Sequence, residues 1–305
     1  VRASDITRAR APTDDNSSTS TTTNGQDLDF NSIASGCPVC PNSGGLSRID
    51  GPMEKGESSV YPVIAKWGPI SIHSYGLMLA LAFAMGSVLA RREAERKGIG
   101  GEWMYDFLLV TLVAGVVLSR ALYVALNFGL YRSNPWTILN LTEGGLSLHG
   151  ALAAGVVVIA WYCRKKGISF YTLADTLTPS VALGIGVARW GCFFNGCCYG
   201  VPTSGSWGVL TRYAPGLRHP TQVYESIAAL ALFAFLWSVR TRMKADGQLF
   251  MLFLTLYSVI RFFVEFFRES AYIGPLTHAQ AASIVIAAVA VYWYHRLERR
   301  TEVQK

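Results

Sequence analysis

The chain has 305 residues, about half of them apolar and only 15% charged, with a net charge of +7. That balance is too apolar for an ordinary soluble domain and belongs to a protein that lies mostly in a membrane. The positive excess then fits basic loops facing anionic lipid better than nucleic-acid binding, so no nucleic-acid partner is expected.

Residues 1–60 read as a tail. Ser17–Thr23 is entirely Ser and Thr, with Gly, Pro and Asp around it, and the tail lacks the apolar content of a core. It has no apolar segment of signal-peptide type. Ala34-Ser35-Gly36-Cys37 faintly resembles a lipoprotein cleavage box, but no apolar run precedes it. Cys37 and Cys40 form a C-x-x-C with no second pair at metal spacing, which makes a disulfide or an idle pair the simpler reading.

Seven apolar segments follow, each long enough to span a bilayer as a helix: 73–90, 105–126, 146–163, 173–193, 221–239, 248–267 and 278–295. The expected fold is an all-α integral membrane protein, with a membrane domain over 61–298 and a basic tail over 299–305. Basic clusters alternate along the chain. Arg91, Arg92, Arg96 and Lys97 follow the first span, Arg164–Lys166 the third, Arg240, Arg242 and Lys244 the fifth, and Arg296, Arg299 and Arg300 the seventh. The intervening loops carry far fewer, which puts the N-terminus outside and the C-terminus in the cytoplasm.

The fourth span ends in Val187–Gly200, where Arg189 lies in an apolar run ahead of Asn195, Cys192, Cys197, Cys198 and three glycines. An arginine at membrane depth faces a wet or ligand-filled interior, or snorkels from a helix end. In the sixth span Tyr257, Arg261, Glu265 and Arg268 recur at helical spacing and form one stripe, either an anion-binding face or an ion-pair ladder that holds helices together. Asp175 lies near the start of the fourth span. Arg120 in the second span either snorkels or faces inward. His149 at the mouth of the third is a buried hydrogen-bonded residue or a proton acceptor. With the stated orientation, Arg189, Arg261, His149, Tyr75, Tyr257 and the run His219–Glu225 all fall towards the outer face. Guanidiniums, a histidine and phenols around one cavity suit a phospholipid headgroup.

Five segments together resemble the prolipoprotein diacylglyceryl transferases, bacterial inner-membrane enzymes. They are His-Ser-Tyr-Gly (73–76), Glu-Gly-Gly-Leu-Ser-Leu-His-Gly (143–150), Ala-Arg-Trp-Gly-Cys-Phe-Phe-Asn-Gly (188–196), His-Pro-Thr-Gln-Val-Tyr-Glu (219–225) and Arg-Phe-Phe-Val-Glu-Phe-Phe-Arg (261–268). The resemblance implies transfer of diacylglyceryl from phosphatidylglycerol to the lipobox cysteine of a precursor protein, with glycerol 1-phosphate leaving. It implies Arg189 on the headgroup, with Tyr75, Asn195, Gly200 and Glu225 also on the substrate side. Arg261 would take the leaving phosphate, Glu265 would orient Arg261, Tyr257 would position substrate and His149 would be the base. No cofactor and no metal are implied. The sequence departs from the family pattern in its central signature, where Cys192 stands for an asparagine and Cys197 for a carboxylate. Two other functions fit the same residues: a lipid or sulfur-compound transporter of this fold, and an outer-face thiol oxidoreductase using Cys37/Cys40 and Cys197/Cys198.

Overall fold

The structure is a computed structural model that describes residues 63–303 apart from 68–69, 133, 140–144, 212–213, 271 and 274. The tail over 1–60, with Cys37 and Cys40, lies outside the described residues, as does Glu143.

Seven long helices form among the described residues: α1 (Ser74–Arg96), α2 (Met104–Leu126), α4 (Leu148–Lys166), α5 (Phe170–Asn195), α6 (Thr221–Val239), α7 (Gln248–Val264) and α8 (His278–Val303). A four-residue helix, α3 (Phe128–Tyr131), and a 3-10 turn (Pro135–Leu139) lie between α2 and α4. Five of the long helices, α1, α2, α5, α6 and α7 with its following turn, are long and apolar enough to cross a membrane. Those at the third and seventh apolar segments, α4 and α8, are not among these five. Helix α1 runs six residues past its apolar segment, because Arg91 and Glu95 pair at 2.8 Å and Glu93 takes Arg96 at 2.7 Å along the helix.

Many large apolar side chains point outward, including Val113, Val117, Val156, Val157, Ile227 and Val285, each more than half exposed. A water-soluble protein would not leave so much contiguous apolar surface, whereas a bilayer covers it. The interior is built from small and aromatic residues: Ala90, Ala94, Phe107, Tyr162 and Leu173 in one cluster, Ala182, Leu232, Leu236, Leu249 and Phe253 in another. α5 is the central helix, packing against α1 on one side and α6 on the other.

Two polar layers close the ends of the bundle. At one end Glu93, almost fully buried, binds Arg240 at 2.8 Å as well as Arg96. There too Asp175 accepts the backbone N–H groups of Gly247 (2.9 Å) and Phe250 (2.8 Å) and lies 3.4 Å from Lys97 Nζ. Asp175 therefore caps the start of α7, a different helix from its own. At the other end Arg120 is buried, donating to the carbonyls of Thr137 (2.9 Å), Ile138 (2.9 Å) and Gly145 (3.0 Å). It faces inward and holds the connection that leads into α4. Ser119 Oγ adds a 2.7 Å bond to Ser147 O. Gly150 allows this close approach, since a Cβ there would lie 2.5 Å from Leu118 O.

Three short antiparallel hairpins decorate this second end. β1 (Val63–Trp67) pairs with β2 (Ile70–His73), in a register from Val63↔His73 to Trp67↔Ile70, and leads into α1. β3 (Val209–Thr211) pairs with β4 (Ala214–Arg218), Val209 facing Arg218, in the Gly/Pro/Ser-rich connection between α5 and α6. β5 (Tyr272–Ile273) pairs with β6 (Leu276–Thr277) between α7 and α8.

A guanidinium cluster as candidate active site

Four helix ends meet at the hairpin-bearing face: the start of α1, the end of α5, the start of α6 and the end of α7. The hub is Glu225 near the start of α6, which is almost fully buried. Its Oε1 accepts from Arg189 Nη2 at 2.7 Å and from the Tyr257 hydroxyl at 2.8 Å. Its Oε2 accepts from Arg261 Nη1 at 3.1 Å and lies 4.0 Å from Arg268 Nη1. A second buried carboxylate, Glu265 in the 3-10 turn Glu265–Phe267, takes Arg261 Nη2 at 3.2 Å and approaches Arg268 Nε at 3.9 Å. Thr277 Oγ1 steadies Glu265 from β6 at 3.3 Å.

Three guanidiniums against two carboxylates leave one positive charge over. The arginine side chains keep 13–22% of their surface, while the carboxylates keep 1–3%. The anions of the cluster are thus used up internally and the cations remain partly reachable. Such a site has the charge and geometry to hold a monoanion of the phosphodiester type, because guanidinium meets phosphate in a planar two-point fork. An apolar groove between α7 and α8 is lined by Ser258, Val259, Phe262, Phe263, Ser283, Ile284 and Ala287, on a different face of α7 from Tyr257, Arg261 and Glu265.

The connection after α5 is stitched to the same cluster. Gly200 N–H donates to His219 O at 2.9 Å, Val201 N–H to Phe267 O at 2.9 Å, and Gly200 pairs with Arg268 in an isolated bridge. A Cβ on Gly200 would lie 2.1 Å from Phe267 O, so only glycine lets these two strands meet and hold Arg268 in place. Arg218 is tied to Glu269 at 2.6 Å, and His219 Nδ1 lies 3.2 Å from the Tyr224 hydroxyl.

The expected site residues separate into two groups. Arg189, Glu225, Tyr257, Arg261 and Glu265 come together in one hydrogen-bonded unit, Gly200 braces it, and Tyr75 flanks it. Tyr75 packs on α5 at Gly191, where a Cβ would be 3.2 Å from its ring, and is an electrostatic neighbour of Arg189. Asn195, the last residue of α5, is half-buried and makes no hydrogen bond to a described residue. His149 is exposed in the first turn of α4, with no hydrogen bond to a described residue and none to the cluster. One feature escaped the sequence reading. Glu225, expected to face the substrate, has both oxygens engaged by the protein's own cations. A signal for it was present: Glu225 has Thr221 and Ala229 one turn away on its own helix, so a membrane-depth carboxylate there needs a cation from another helix. Arg268, on the stripe that helical spacing marks, joins the cluster as its third guanidinium.

The pattern of the prolipoprotein diacylglyceryl transferase family matches residues 62–296. The chain belongs to this family. Among its relatives, a phosphatidylglycerol–prolipoprotein diacylglyceryl transferase of Bordetella avium is 40% identical over 216 residues, 68% of this chain and 81% of the relative. The proteins of the same name from Gloeobacter violaceus and Clostridioides difficile are each 33% identical, over 82% and 77% of this chain and 99% and 96% of their own lengths. The matched stretch takes in six of the long helices whole, α8 as far as residue 296 and the whole guanidinium cluster, and it leaves out the tail.

Proposed function

We propose that this chain moves the diacylglyceryl group of phosphatidylglycerol to the thiol of a lipobox cysteine in a precursor protein, in the bacterial inner membrane. The observation that carries this reading is the Glu225-centred cluster, which presents partly accessible guanidiniums with one net positive charge. A lipid with a monoanionic headgroup matches that charge. Family membership supplies the reaction. The sulfur attacks the glyceryl carbon, the carbon–oxygen bond to phosphate breaks, and the electron pair leaves on the glycerol phosphate oxygen.

In this reading Arg189 binds the headgroup and Arg261 takes the charge that develops on the leaving phosphate, held at the right angle by Glu265 and Glu225. Tyr257 and Tyr75 position the lipid, and Asn195 and Gly200 border the space it occupies. His149 accepts the thiol proton. The test is purified protein with radiolabelled phosphatidylglycerol and a lipobox peptide, scored for labelled peptide; no labelled peptide under any lipid composition would sink the assignment. The same assay examines His149. His149→Gln should slow transfer near neutral pH while lipid binding survives, and the defect should shrink as pH rises and the substrate thiol ionises unaided. An equal defect at every pH removes the base role.

The alternating basic clusters support a seven-span topology with the N-terminus outside, which places the guanidinium cluster towards the outer face. A fluorescent protein fused after Lys305 should then be bright and an alkaline phosphatase fused there silent; the reverse pattern overturns the orientation.

A further inference from the structure

Helix α5 ends in a turn that sets two cysteines face to face. Gly196, directly after Asn195, takes the left-handed conformation with φ of 76°. Its N–H donates to Phe193 O at 3.0 Å, and the next N–H, that of Cys197, donates to Cys192 O at 3.1 Å. These two bonds make a Schellman ending, in which the first side chain after the left-handed residue meets one in the last turn of the helix. That contact is commonly apolar; here its two members are Cys192 and Cys197. Cys197 Sγ also lies 3.7 Å from Cys192 O. Cys198 follows at φ of 61°, the one left-handed non-glycine among the described residues, and adds a third thiol. The three sulfurs lie within 4.8 Å of one another, and none is in a disulfide. The turn is anchored from α6, where Gln222 Nε2 donates to Cys197 O at 2.6 Å and Thr221 Oγ1 to Cys198 O at 2.7 Å. Cys197 and Cys198 are buried, while Cys192 is partly exposed.

We propose that Cys192 and Cys197 are a reversible oxidation site, and that the disulfide between them slows the enzyme. A disulfide joins Cα atoms about 4.4–6.8 Å apart through a sulfur–sulfur bond of about 2.05 Å. The backbone hydrogen bond between the two residues keeps their Cα atoms inside that range, so the bond closes by a local tightening of the last turn of α5. The tightening falls between the two residues that hold each other at the centre of the cluster. Arg189 is one turn before Cys192 on α5, and Gln222, which grips the Cys197 carbonyl, is one turn before Glu225 on α6. Tyr75 is an electrostatic neighbour of all three cysteines, and Arg189 of Cys192 and Cys198. Misplacing a positioned group by about 1 Å costs roughly a hundredfold in rate, so a fraction of that shift is enough for a tenfold loss.

With the N-terminus outside, the turn faces the outer compartment, where disulfides form and persist. The oxidant is a disulfide of that compartment. Cys192, the exposed partner, attacks it, which gives a mixed disulfide and releases one thiol. Cys197 then attacks the Cys192 sulfur, the internal bond forms, and the second thiol leaves. Two electrons and two protons pass from the cysteine pair to the acceptor, and Cys198 keeps its thiol. The slowing of transfer rests on the transferase reading; the cross-link does not.

The test uses the full chain carrying Cys37→Ser and Cys40→Ser, so that the tail offers no thiol. After treatment with oxidised glutathione and then an alkylating agent, mass spectrometry should find Cys192 and Cys197 joined and Cys198 alkylated. Cys198→Ser should still form the bond, and Cys197→Ser should not form one. With the glutathione removed, the initial rate of lipidation of a lipobox peptide should be at least tenfold lower in the oxidised protein, and prior treatment with dithiothreitol should restore it. In Cys197→Ser the rate should not respond to oxidised glutathione. Three alkylated thiols after oxidation, or a disulfide that still forms in Cys197→Ser, would overturn the site. An oxidised protein that lipidates at the reduced rate would overturn its effect on transfer. A cross-link that forms and reverses in a protein that lipidates in neither state would leave the oxidation site standing and remove the transferase reading instead.

Discussion

Arg189→Ala should lower diacylglyceryl transfer by roughly a hundredfold, the usual consequence of losing one charge-assisted contact worth about 3 kcal/mol in the transition state. The side chain leaves α5 near its end and reaches Glu225 with one nitrogen, at 2.7 Å, while 22% of its surface stays accessible. One nitrogen is therefore spent on holding the guanidinium and others are available to a phosphate. Arg189→Lys should remain badly impaired. An ammonium satisfies either Glu225 or the lipid but cannot present a fork to one while bonded to the other. Arg261→Ala should give a loss of similar size, because Arg261 is held by two carboxylates and takes the charge of the leaving phosphate. The measurement is the initial rate in phosphatidylglycerol vesicles with each variant folded to the same extent. Near-wild-type turnover in either alanine variant would take that residue out of the mechanism.

The apolar runs marked the helices well because membrane helices announce themselves by composition alone: the segments at 105–126, 221–239 and 248–267 coincide with α2, α6 and α7 to within three residues at either end. The polar stripe of α7 was equally legible, since Tyr257, Arg261 and Glu265 share a face by periodicity. What stayed hidden was every partner supplied by another helix. Asp175 read as a charge at the start of its own span, and it caps α7 instead. Arg120 could snorkel or turn inward on sequence grounds, and only the carbonyls of residues 137, 138 and 145 decide between these. The connection after α5 forms a hairpin, and Gly200 ahead of it pairs with Arg268 beyond α7, which braces the cluster. Such contacts join residues tens of positions apart, and local pattern carries no record of them. The thiols show the same limit: three cysteines in seven residues are visible in the sequence, and their convergence depends on the left-handed turn at Cys198.

Glu225→Gln should have the largest effect of any single side-chain substitution in the cluster. The carboxylate neutralises Arg189 and Arg261 together and lies at the edge of ion-pair range of Arg268, and it is 1% exposed. Glutamine keeps the shape but turns an N–H₂ group towards a guanidinium, and the three cations are left with Glu265 as their single counter-ion. Breaking a buried ion pair from one side costs about 3–5 kcal/mol. That is enough to splay the guanidiniums apart, and transfer should fall more than a hundredfold. The kinetic pattern separates two roles. If Glu225 touched the substrate, glutamine would raise KM for phosphatidylglycerol. If it holds the arginines, as its hydrogen bonds indicate, the released guanidiniums still attract the anionic headgroup, so KM should be unchanged or lower while kcat collapses. Glu225→Asp keeps the charge but is one methylene shorter, so it can reach either Arg189 and Tyr257 or Arg261. It should recover part of kcat, again without raising KM. A raised KM with kcat preserved in the glutamine variant would return Glu225 to the substrate side and leave the arrangement of the arginines to Glu265 alone.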